Sequence, residues 1–209
     1  MFQLPRPLVL GAATALMAGP TVLSVLSLAP ASASSAPTCD GQAATVVSNA
    51  ADIQGTPGDD VIVVRGDSAH TVVAGAGNDV VCGSSGNDTI RGGSGSDTIL
   101  GSDGNDTEQG GTGADVVSGG SGSDDVLGNA GDDEVSGGSG SDSVDGGNGS
   151  DVVNGGSGDD TLTGGDDNES DDVFGDGGDD TITTSGADVV DDGQGTDTVD
   201  GSGDCNADD

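Results

Sequence analysis

The stretch that decides the fold is GGSGSDTILGSDGNDTEQGG, from Gly92 to Gly111. It contains two copies of a nine-residue unit, each a glycine-rich segment followed by an aspartate and a short run of three residues. The first copy has Ile99 two residues after its aspartate, whereas the second has Glu108 in the same place. A fixed period of this length is typical of stacked repeat architectures, in which each unit packs against its neighbours.

Ten such units follow one another in register from Ala74 to Thr163. The fourth position is always glycine, and the eighth is apolar in every unit except the one that carries Glu108. Their sixth-position aspartates are Asp79, Asp88, Asp97, Asp106, Asp115, Asp124, Asp133, Asp142, Asp151 and Asp160. Less regular units on either side, with small insertions or deletions, add Asp60, Asp171, Asp180, Asp188 and Asp197.

The composition excludes several classes of protein. Of 209 residues, 42 are glycine and 38 are acidic, against three Lys and Arg, and neither Trp nor Tyr occurs. Such a chain has too few large side chains for an ordinary globular core, and a formal charge of −35 repels nucleic acid and anionic membranes. The same charge attracts cations, so cations are the expected partners.

The first 33 residues differ from the rest, because an apolar stretch from Leu8 to Leu28 follows Arg6 and leads to Ala31-Ser32-Ala33. This pattern predicts a secretory signal peptide over 1–33 and hence a secreted, extracellular protein. The alternative is an N-terminal membrane anchor, which the interrupting Gly19 and Pro20 disfavour. We further predict a linker and N-terminal cap over 34–54, the repeat domain over 55–200 and an acidic tail over 201–209.

A nine-residue unit divides naturally into a six-residue turn and a three-residue strand. Glycines at the first, second and fourth positions permit positive φ angles and close backbone approach in the turn. In the strand, alternation points only the eighth side chain inward. Two units then make one flattened coil, so that aspartates two units apart lie on the same side in adjacent coils. Carboxylates this close need a cation between them, and all-oxygen ligands suit calcium.

The units GGSGSDTIL, GGTGADVVS and GGNGSDVVN resemble the GGxGxDxUx nonapeptide of RTX, or haemolysin-type, calcium-binding repeats. The resemblance extends over roughly residues 55 to 200. It implies an all-β fold, a right-handed parallel β-roll that forms a calcium-stacked β-solenoid.

The resemblance also implies the calcium ligands, namely the sixth-position aspartates together with carbonyl groups of the glycine-rich turns. The expected turn carbonyls belong to Gly83, Gly92, Gly101, Gly110, Gly119, Gly128, Gly137, Gly146 and Gly155. Sites that join successive coils on each side number about eight in the regular region, and the flanking units would add a few. Because the apolar content is low and the charge is high, we expect the chain to fold only when calcium is bound.

Three cysteines in an exported chain permit one disulfide and one leftover thiol. Cys205 follows the last repeat, too far along a stacked roll to reach Cys39 or Cys82. The expected internal pair is therefore Cys39–Cys82, which would tie the N-terminal cap to the roll. Cys205 would be free or would link two molecules.

Two residues break the repeat pattern. Glu108 places a carboxylate on the inner row, and we interpret it as a tolerated exception because the turn around Asp106 is intact. The alternatives are a designed bend or an extra metal ligand. His70, the only histidine, falls in an aspartate position, which indicates a degenerate unit that has lost one calcium contact.

No catalytic constellation is present in the sequence, so we predict no enzymatic activity. The favoured function is that of a stand-alone calcium-binding repeat protein with a structural or adhesive role. The rivals are a surface-recognition module for polysaccharide, cell wall or ice, and a disordered acidic calcium buffer. The seventh positions argue against a lattice-matching surface because they mix Thr98, Val116, Asp125, Glu134, Ser143 and Val152.

Overall fold

The computed structural model describes residues 36–165, 167, 169–201 and 204–205. The predicted signal peptide lies outside these residues, as does much of the predicted acidic tail. Among the described residues every regular element is a β-strand, and none forms a helix long and apolar enough to cross a membrane. The prediction of an all-β fold is confirmed.

The strands are short and closely spaced along the chain. In chain order they are β1 (Thr38–Cys39), β2 (Gln42–Ala43), β3 (Val46–Ser48), β4 (Asp52–Gln54), β5 (Val61–Val64), β6 (Thr71–Ala76), β7 (Val80–Cys82), β8 (Thr89–Ser94), β9 (Thr98–Asp103), β10 (Thr107–Thr112), β11 (Val116–Ser121), β12 (Asp125–Ala130), β13 (Glu134–Ser139), β14 (Ser143–Asn148), β15 (Val152–Ser157), β16 (Thr161–Thr163), β17 (Asp172–Gly177), β18 (Thr181–Thr183), β19 (Val189–Asp191), β20 (Thr198–Asp200) and β21 (Asp204–Cys205).

From β3 onward, successive strands alternate between two parallel sheets. The even-numbered strands β4 to β20 form a nine-stranded sheet, and the odd-numbered strands β3 to β21 form a ten-stranded sheet. In the regular region each strand pairs with the one eighteen residues away, as Thr107 does with Thr89 and with Asp125. The expectation that two units make one coil of a parallel β-solenoid is confirmed.

The central strands are longer than the three residues that we expected. Strands β8 to β15 each have six residues and run from the seventh position of one unit to the third position of the next. Their burial alternates, so that in β13 both Val135 and Gly137 are buried, whereas Glu134 and Ser139 are exposed. Alternation therefore points the eighth residue and the following first-position glycine toward the interior. The turn is therefore shorter than the six residues that we expected and comprises the three residues between successive strands.

The core is a narrow row of aliphatic side chains between the two sheets. It consists of Ile53, Ile62, Val64, Val72, Ala74, Val81, Ile90, Ile99, Val117, Val126, Val135, Val144, Val153, Leu162, Val173, Ile182 and Val190. Nearly all are eighth-position residues, as alternation predicts. Because the row already includes Ile53 in β4, the two sheets extend back to residues before Gly55.

In most units the second and fourth positions adopt positive φ angles, and Ser84 and Gly86 are exceptions. Gly93 and Gly95 illustrate them, with φ of 123° and 122°. A left-handed conformation is accessible to glycine at little cost, and this requirement explains the glycine preference at these two positions. Ser102 and Asn129 occupy the second position in their units with φ of 93° and 79°, so the turn tolerates an occasional side chain.

A disulfide bond joins Cys39 of β1 to Cys82 of β7, with 5.7 Å between the two Cα atoms. Strands β1 and β2 form a small antiparallel pair. Cys39 is buried in a second apolar cluster with Val61 and Val80. The bond and this cluster together hold the N-terminal segment against the first coils. The Cys205 side chain lies outside the described part of the chain.

Candidate metal centre

The sixth-position aspartates lie at the points where each turn enters a strand. All are buried except Asp197, which is partly exposed. Two successive units form opposite halves of one coil, so these aspartates divide into two rows along the solenoid. One row contains Asp60, Asp79, Asp97, Asp115, Asp133, Asp151, Asp171 and Asp188. The other contains His70 followed by Asp88, Asp106, Asp124, Asp142, Asp160, Asp180 and Asp197.

Within each row the carboxylates form a continuous chain of hydrogen bonds to the backbone. The Oδ1 atom of each aspartate after Asp60 accepts a bond from the backbone N–H of the corresponding residue one coil earlier, whereas Oδ1 of Asp60 accepts from the Thr45 hydroxyl. The Asp115 N–H donates to Asp133 at 2.7 Å, and the Asp133 N–H donates to Asp151 at 2.8 Å. These bonds fix the position of every carboxylate, because an ionised acceptor makes a short and directional bond.

The second carboxylate oxygen has no protein partner in most units. Ten aspartates have a buried Oδ2 atom that accepts no hydrogen bond, and they are Asp79, Asp97, Asp106, Asp115, Asp124, Asp133, Asp142, Asp151, Asp160 and Asp180. Buried oxygens without partners are rare in folded proteins, and a repeated set of them indicates a missing ligand. A hydrogen-bond donor or a cation is therefore needed at each of these positions.

The first-position glycines provide the space in front of these oxygens. A Cβ atom added to Gly146 would lie 2.6 Å from Oδ2 of Asp151 and 2.5 Å from the carbonyl oxygen of Gly164. The same relation, a glycine carbonyl from the next coil beside an unpartnered carboxylate oxygen, recurs in the units of Asp97, Asp106, Asp115, Asp133 and Asp160. In these units a carboxylate oxygen and a main-chain carbonyl thus lie close together beside the first-position glycine.

Five predicted turn carbonyls, those of Gly101, Gly110, Gly119, Gly128 and Gly146, face a first-position glycine one coil earlier. Gly164 and Gly175 contribute carbonyls in the same way, and the sequence reasoning missed both. Gly164 keeps the nine-residue spacing from Gly155, so the count itself could have found it. Gly175 follows an insertion, and the pairing of β17 with β15 places it.

Carboxylate and carbonyl oxygens are the donors that hard cations prefer, and calcium accepts six to eight of them at flexible distances. The described residues contain no group of three or more His, Cys, Asp and Glu side chains that could hold a metal ion. Main-chain carbonyls would therefore have to supply several of the ligands. An oxygen-only site with one carboxylate per unit and carbonyls from the next coil fits calcium.

Comparison with protein families agrees with this chemistry. The family described as RTX calcium-binding nonapeptide repeat (4 copies) matches residues 73–108, 100–135, 109–144, 136–168, 145–182 and 182–204. The chain belongs to the RTX calcium-binding repeat family. Comparison with curated proteins found no match to the chain.

In three RTX units a residue of the same turn already donates to the Oδ2 atom of the aspartate. The backbone N–H of Ser185 donates to Oδ2 of Asp188 at 2.7 Å. In the two remaining units a hydroxyl side chain donates as well. In one, Thr56 donates to Oδ2 of Asp60 through its backbone N–H at 2.6 Å and through its hydroxyl at 2.8 Å. In the other, Ser84 makes the same pair of bonds to Asp88 at 2.8 and 2.9 Å. Both lie near the N-terminal end of the solenoid, where a hydroxyl side chain replaces the second-position glycine.

His70 occupies an aspartate position in its row, as the sequence predicted, and is buried. Its Nδ1 atom lies 3.0 Å from Oδ1 of Asp88, and its backbone N–H donates to the same oxygen at 2.9 Å. The hydroxyl of Ser84 lies 3.3 Å from the imidazole Nδ1. The imidazole therefore contacts Asp88, the first aspartate of its row, through its side chain.

A second, exposed row of side chains runs beside the buried one, and the sequence reasoning overlooked it. Fifth-position Asn and Asp residues accept hydrogen bonds from the backbone one coil on, as Asn87 does from Asn105 at 3.0 Å and Asp159 does from Asp179 at 2.9 Å. The signal was the recurrence of Asn or Asp immediately before the sixth-position aspartate. These bonds help to hold successive RTX turns in register.

Burial raises the pKa of the aspartates that lack a partner at Oδ2. Desolvation is the main cause, neighbouring carboxylates add to it, and the backbone hydrogen bond opposes it. The pKa of Asp133 rises to about 7, and those of Asp106, Asp151 and Asp160 rise to about 6. Desolvation raises the pKa of the buried Glu108 to about 9, with a further contribution from Asp106. Without a cation, the folded RTX roll thus favours protonated carboxyls.

These shifts predict that acid stabilises the metal-free roll. An aspartate with a folded-state pKa near 6 or 7 and an unfolded value near 3.8 stabilises the fold below about pH 4, and this stabilisation is lost as pH rises through 6 to 7. In excess chelator we expect far-UV circular dichroism to show more β structure at pH 5 than at pH 8. With saturating calcium the trend should reverse, because protons compete for the ligands. Less β structure at pH 5 in chelator would contradict this prediction.

Proposed function

We propose that this protein is a secreted calcium-binding repeat protein that folds as it binds several calcium ions, and that the resulting solenoid has a structural or adhesive role outside the cell. The observation that carries the proposal is the repeated Oδ2 atom, which is buried and without a partner in ten units and lies beside a glycine carbonyl in six of them. Membership of the RTX calcium-binding repeat family supports it.

In this proposal the two oxygens of each aspartate have different roles. The Oδ1 atom accepts the backbone hydrogen bond that joins adjacent coils, and the Oδ2 atom is the ligand. The proposed carboxylate ligands are those with an unpartnered Oδ2, together with Asp171 and Asp197 at the C-terminal end. Asp60, Asp88 and Asp188, whose Oδ2 atoms already accept a hydrogen bond within the turn, would contribute only by exchanging those bonds. Bound calcium supplies positive charge between carboxylates that otherwise repel one another.

We expect folding to depend on calcium because the net negative charge is large and the hydrophobic core is small. The interior is one row of mostly Val and Ile side chains, and the whole chain has a formal charge of −35. Self-repulsion of this size destabilises a compact state, and a thin core gives little to oppose it. Cation binding removes repulsion at the buried carboxylates, so that binding free energy becomes folding free energy.

Export fits this behaviour. The predicted signal peptide would direct the chain out of the cell, and RTX repeat proteins are typically secreted. Extracellular calcium modules often have dissociation constants near 10⁻⁴ to 10⁻³ M, so the chain would remain unfolded until it meets extracellular calcium. A Cys39–Cys82 disulfide also suits an oxidising compartment. We assign no enzymatic activity to the roll.

The direct test is a calcium titration of the chain without residues 1–33, followed by far-UV circular dichroism from excess chelator to 10 mM calcium, a range chosen to exceed the expected affinity. We expect a cooperative gain of β signal with calcium and none with magnesium, which prefers octahedral water-rich sites. A spectrum that calcium does not change would rule out the proposal and would leave a disordered polyanion.

A second candidate, a surface-recognition module, gains support from the separation of the two sheets. The seventh positions of the nine-stranded sheet align Thr71, Thr89, Thr107, Asp125, Ser143, Thr161, Thr181 and Thr198 in one row. The ten-stranded sheet has Thr98 but also Val116, Val152 and Val189, which are about 40% exposed. Seventh positions appear mixed along the sequence because successive units alternate between these two sheets.

A row of hydroxyls at strand spacing would favour a regular polymer such as a polysaccharide. The candidate can be tested by retention of the calcium-loaded chain on an insoluble polysaccharide. A T161D/T181D variant should then lose retention, while V116D on the opposite face should keep it. Equal retention of all three would exclude the threonine face as the binding surface.

A further inference from the structure

Glu108 lies in the inner row of the nine-stranded sheet, where its neighbours are aliphatic. In β10 it pairs in register with Ile90 of β8 and with Val126 of β12. Its exposed fraction is 0%. A carboxylate in such a place is costly unless it is paired or coordinates a metal.

Neither oxygen of this carboxylate has a hydrogen-bond partner. Both Oε1 and Oε2 of Glu108 are buried and unsatisfied. Its inner-row neighbours cannot supply a donor, because they are Ile and Val side chains. The described structure therefore leaves a whole carboxylate without compensation, which the sequence alone could not show.

The side chain points toward the space beside Asp106. A Cβ atom added to Gly101 would collide with Oε1 of Glu108 and with the carbonyl oxygen of Gly119, and would lie 2.8 Å from Oδ2 of Asp106. Three oxygens from three different residues therefore lie close together beside the Gly101 Cα atom. Two of the three are carboxylate oxygens with no other partner.

Other units show why an inner-row residue reaches this place. A Cβ added to Gly83 would lie 3.2 Å from Cδ1 of Ile90, and one added to Gly155 would lie 3.2 Å from Cδ1 of Leu162. The eighth side chain of each of these units therefore ends beside the first-position glycine. In the unit of Glu108 a carboxylate takes the place of a methyl group and adds an anionic oxygen to the site.

We propose that Glu108 is a second carboxylate ligand at the Asp106 position, where it forms the tightest calcium site of the roll together with Asp106 and the Gly119 carbonyl. This inference rests on the proposed calcium-binding function. Elsewhere a unit offers one unpartnered carboxylate, whereas this unit offers two. Calcium affinity rises with the number of charged ligands, so this site fills first. The Glu108 site also lies near the middle of the nine-stranded sheet, so folding of the coils can extend from it toward both ends of the sheet.

The test compares calcium affinities by competition with a chromophoric chelator, which needs no intrinsic fluorophore in a chain without Trp or Tyr. Glu108→Gln keeps the size of the side chain and removes its charge. Glu134→Gln is the matched control, because it removes the same charge from an exposed position of β13. We expect E108Q to weaken the tightest binding event by about tenfold or more, and E134Q to leave it nearly unchanged.

Glu108→Val provides a second variant that keeps the fold, since valine occupies this row in many other units. If Glu108 is a ligand, E108V raises the calcium concentration at the midpoint of folding, although it improves the apolar row. If Glu108 is only a tolerated exception, E108V lowers that midpoint or leaves it unchanged, and E108Q binds as the parent does; this result would overturn the inference. Failure of the parent chain to bind calcium would instead overturn the proposed function.

Discussion

Gly146→Ala is expected to abolish calcium binding at its turn and to destabilise the calcium-loaded roll by about 2–3 kcal/mol, because an added methyl group overpacks a site that has no room to relax. The new Cβ would lie 2.5 Å from the carbonyl oxygen of Gly164 and 2.6 Å from Oδ2 of Asp151. A backbone carbonyl that is also part of a parallel sheet cannot move away cheaply. The methyl group would press against the carbonyl and carboxylate oxygens that we propose as ligands and would displace them from the ion.

The matched control is Gly58→Ala, because a Cβ there would meet nothing within 4 Å and the backbone needs no positive φ. Thermal unfolding in saturating calcium and the number of bound ions measure the two effects. G58A should match the parent in both, while G146A should unfold at lower temperature and lose at least one ion. Full ion binding by G146A would show that the ions lie elsewhere than in front of the first-position glycines.

Asp133→Asn should have opposite effects with and without calcium. The asparagine oxygen can still accept the backbone bond that Asp115 donates at 2.7 Å. Its amide nitrogen takes the place of the unpartnered Oδ2 and can donate to a turn carbonyl. Without calcium the variant should be more stable by about 1–3 kcal/mol, because a buried acceptor without a partner is replaced by a satisfied donor.

With calcium bound, the Asp133→Asn variant should be less stable than the parent chain. Loss of one site costs about 2.7 kcal/mol when free calcium is 100 times its dissociation constant. Folding driven by an osmolyte such as TMAO in chelator, and thermal unfolding in saturating calcium, measure the two stabilities. Asp132→Asn, on the exposed fifth position of the same unit, is the control and should show neither effect. A D133N variant that is destabilised under both conditions would mean that the carboxylate is structural and binds no ion.

Much of the fold could be predicted because the repeat is strict. Eighteen-residue coils, parallel pairing and the inner row of residues such as Val117 and Val135 follow from a nine-residue unit with one apolar position. Strand length could not be predicted in the same way. Extended backbone continues through Gly137 and Gly138 into Ser139, because pairing with the coils on either side stabilises residues that have little strand propensity of their own.

The candidate site, like the fold, could be predicted from the sequence only in part. The sixth-position aspartates were predicted by their spacing, and the structure places them in two buried rows. Which carboxylates still lack a partner depends on contacts between residues far apart in the chain. Asp88 is satisfied by Ser84 and faces His70, whereas Asp106, with the same local unit, keeps an unpartnered oxygen beside Glu108.

The sequence by itself determined that this chain forms stacked coils with rows of carboxylates, because period, glycine placement and charge are local properties repeated many times. Only the tertiary structure decided which residues share a face, which oxygens remain unsatisfied, and that the Glu108 carboxylate reaches the Asp106 turn. These depend on the alternation of successive units between two sheets and on contacts one coil apart. Strand pairing brings together side chains and carbonyl groups that are eighteen residues apart, and these contacts cannot be derived from the sequence of one unit.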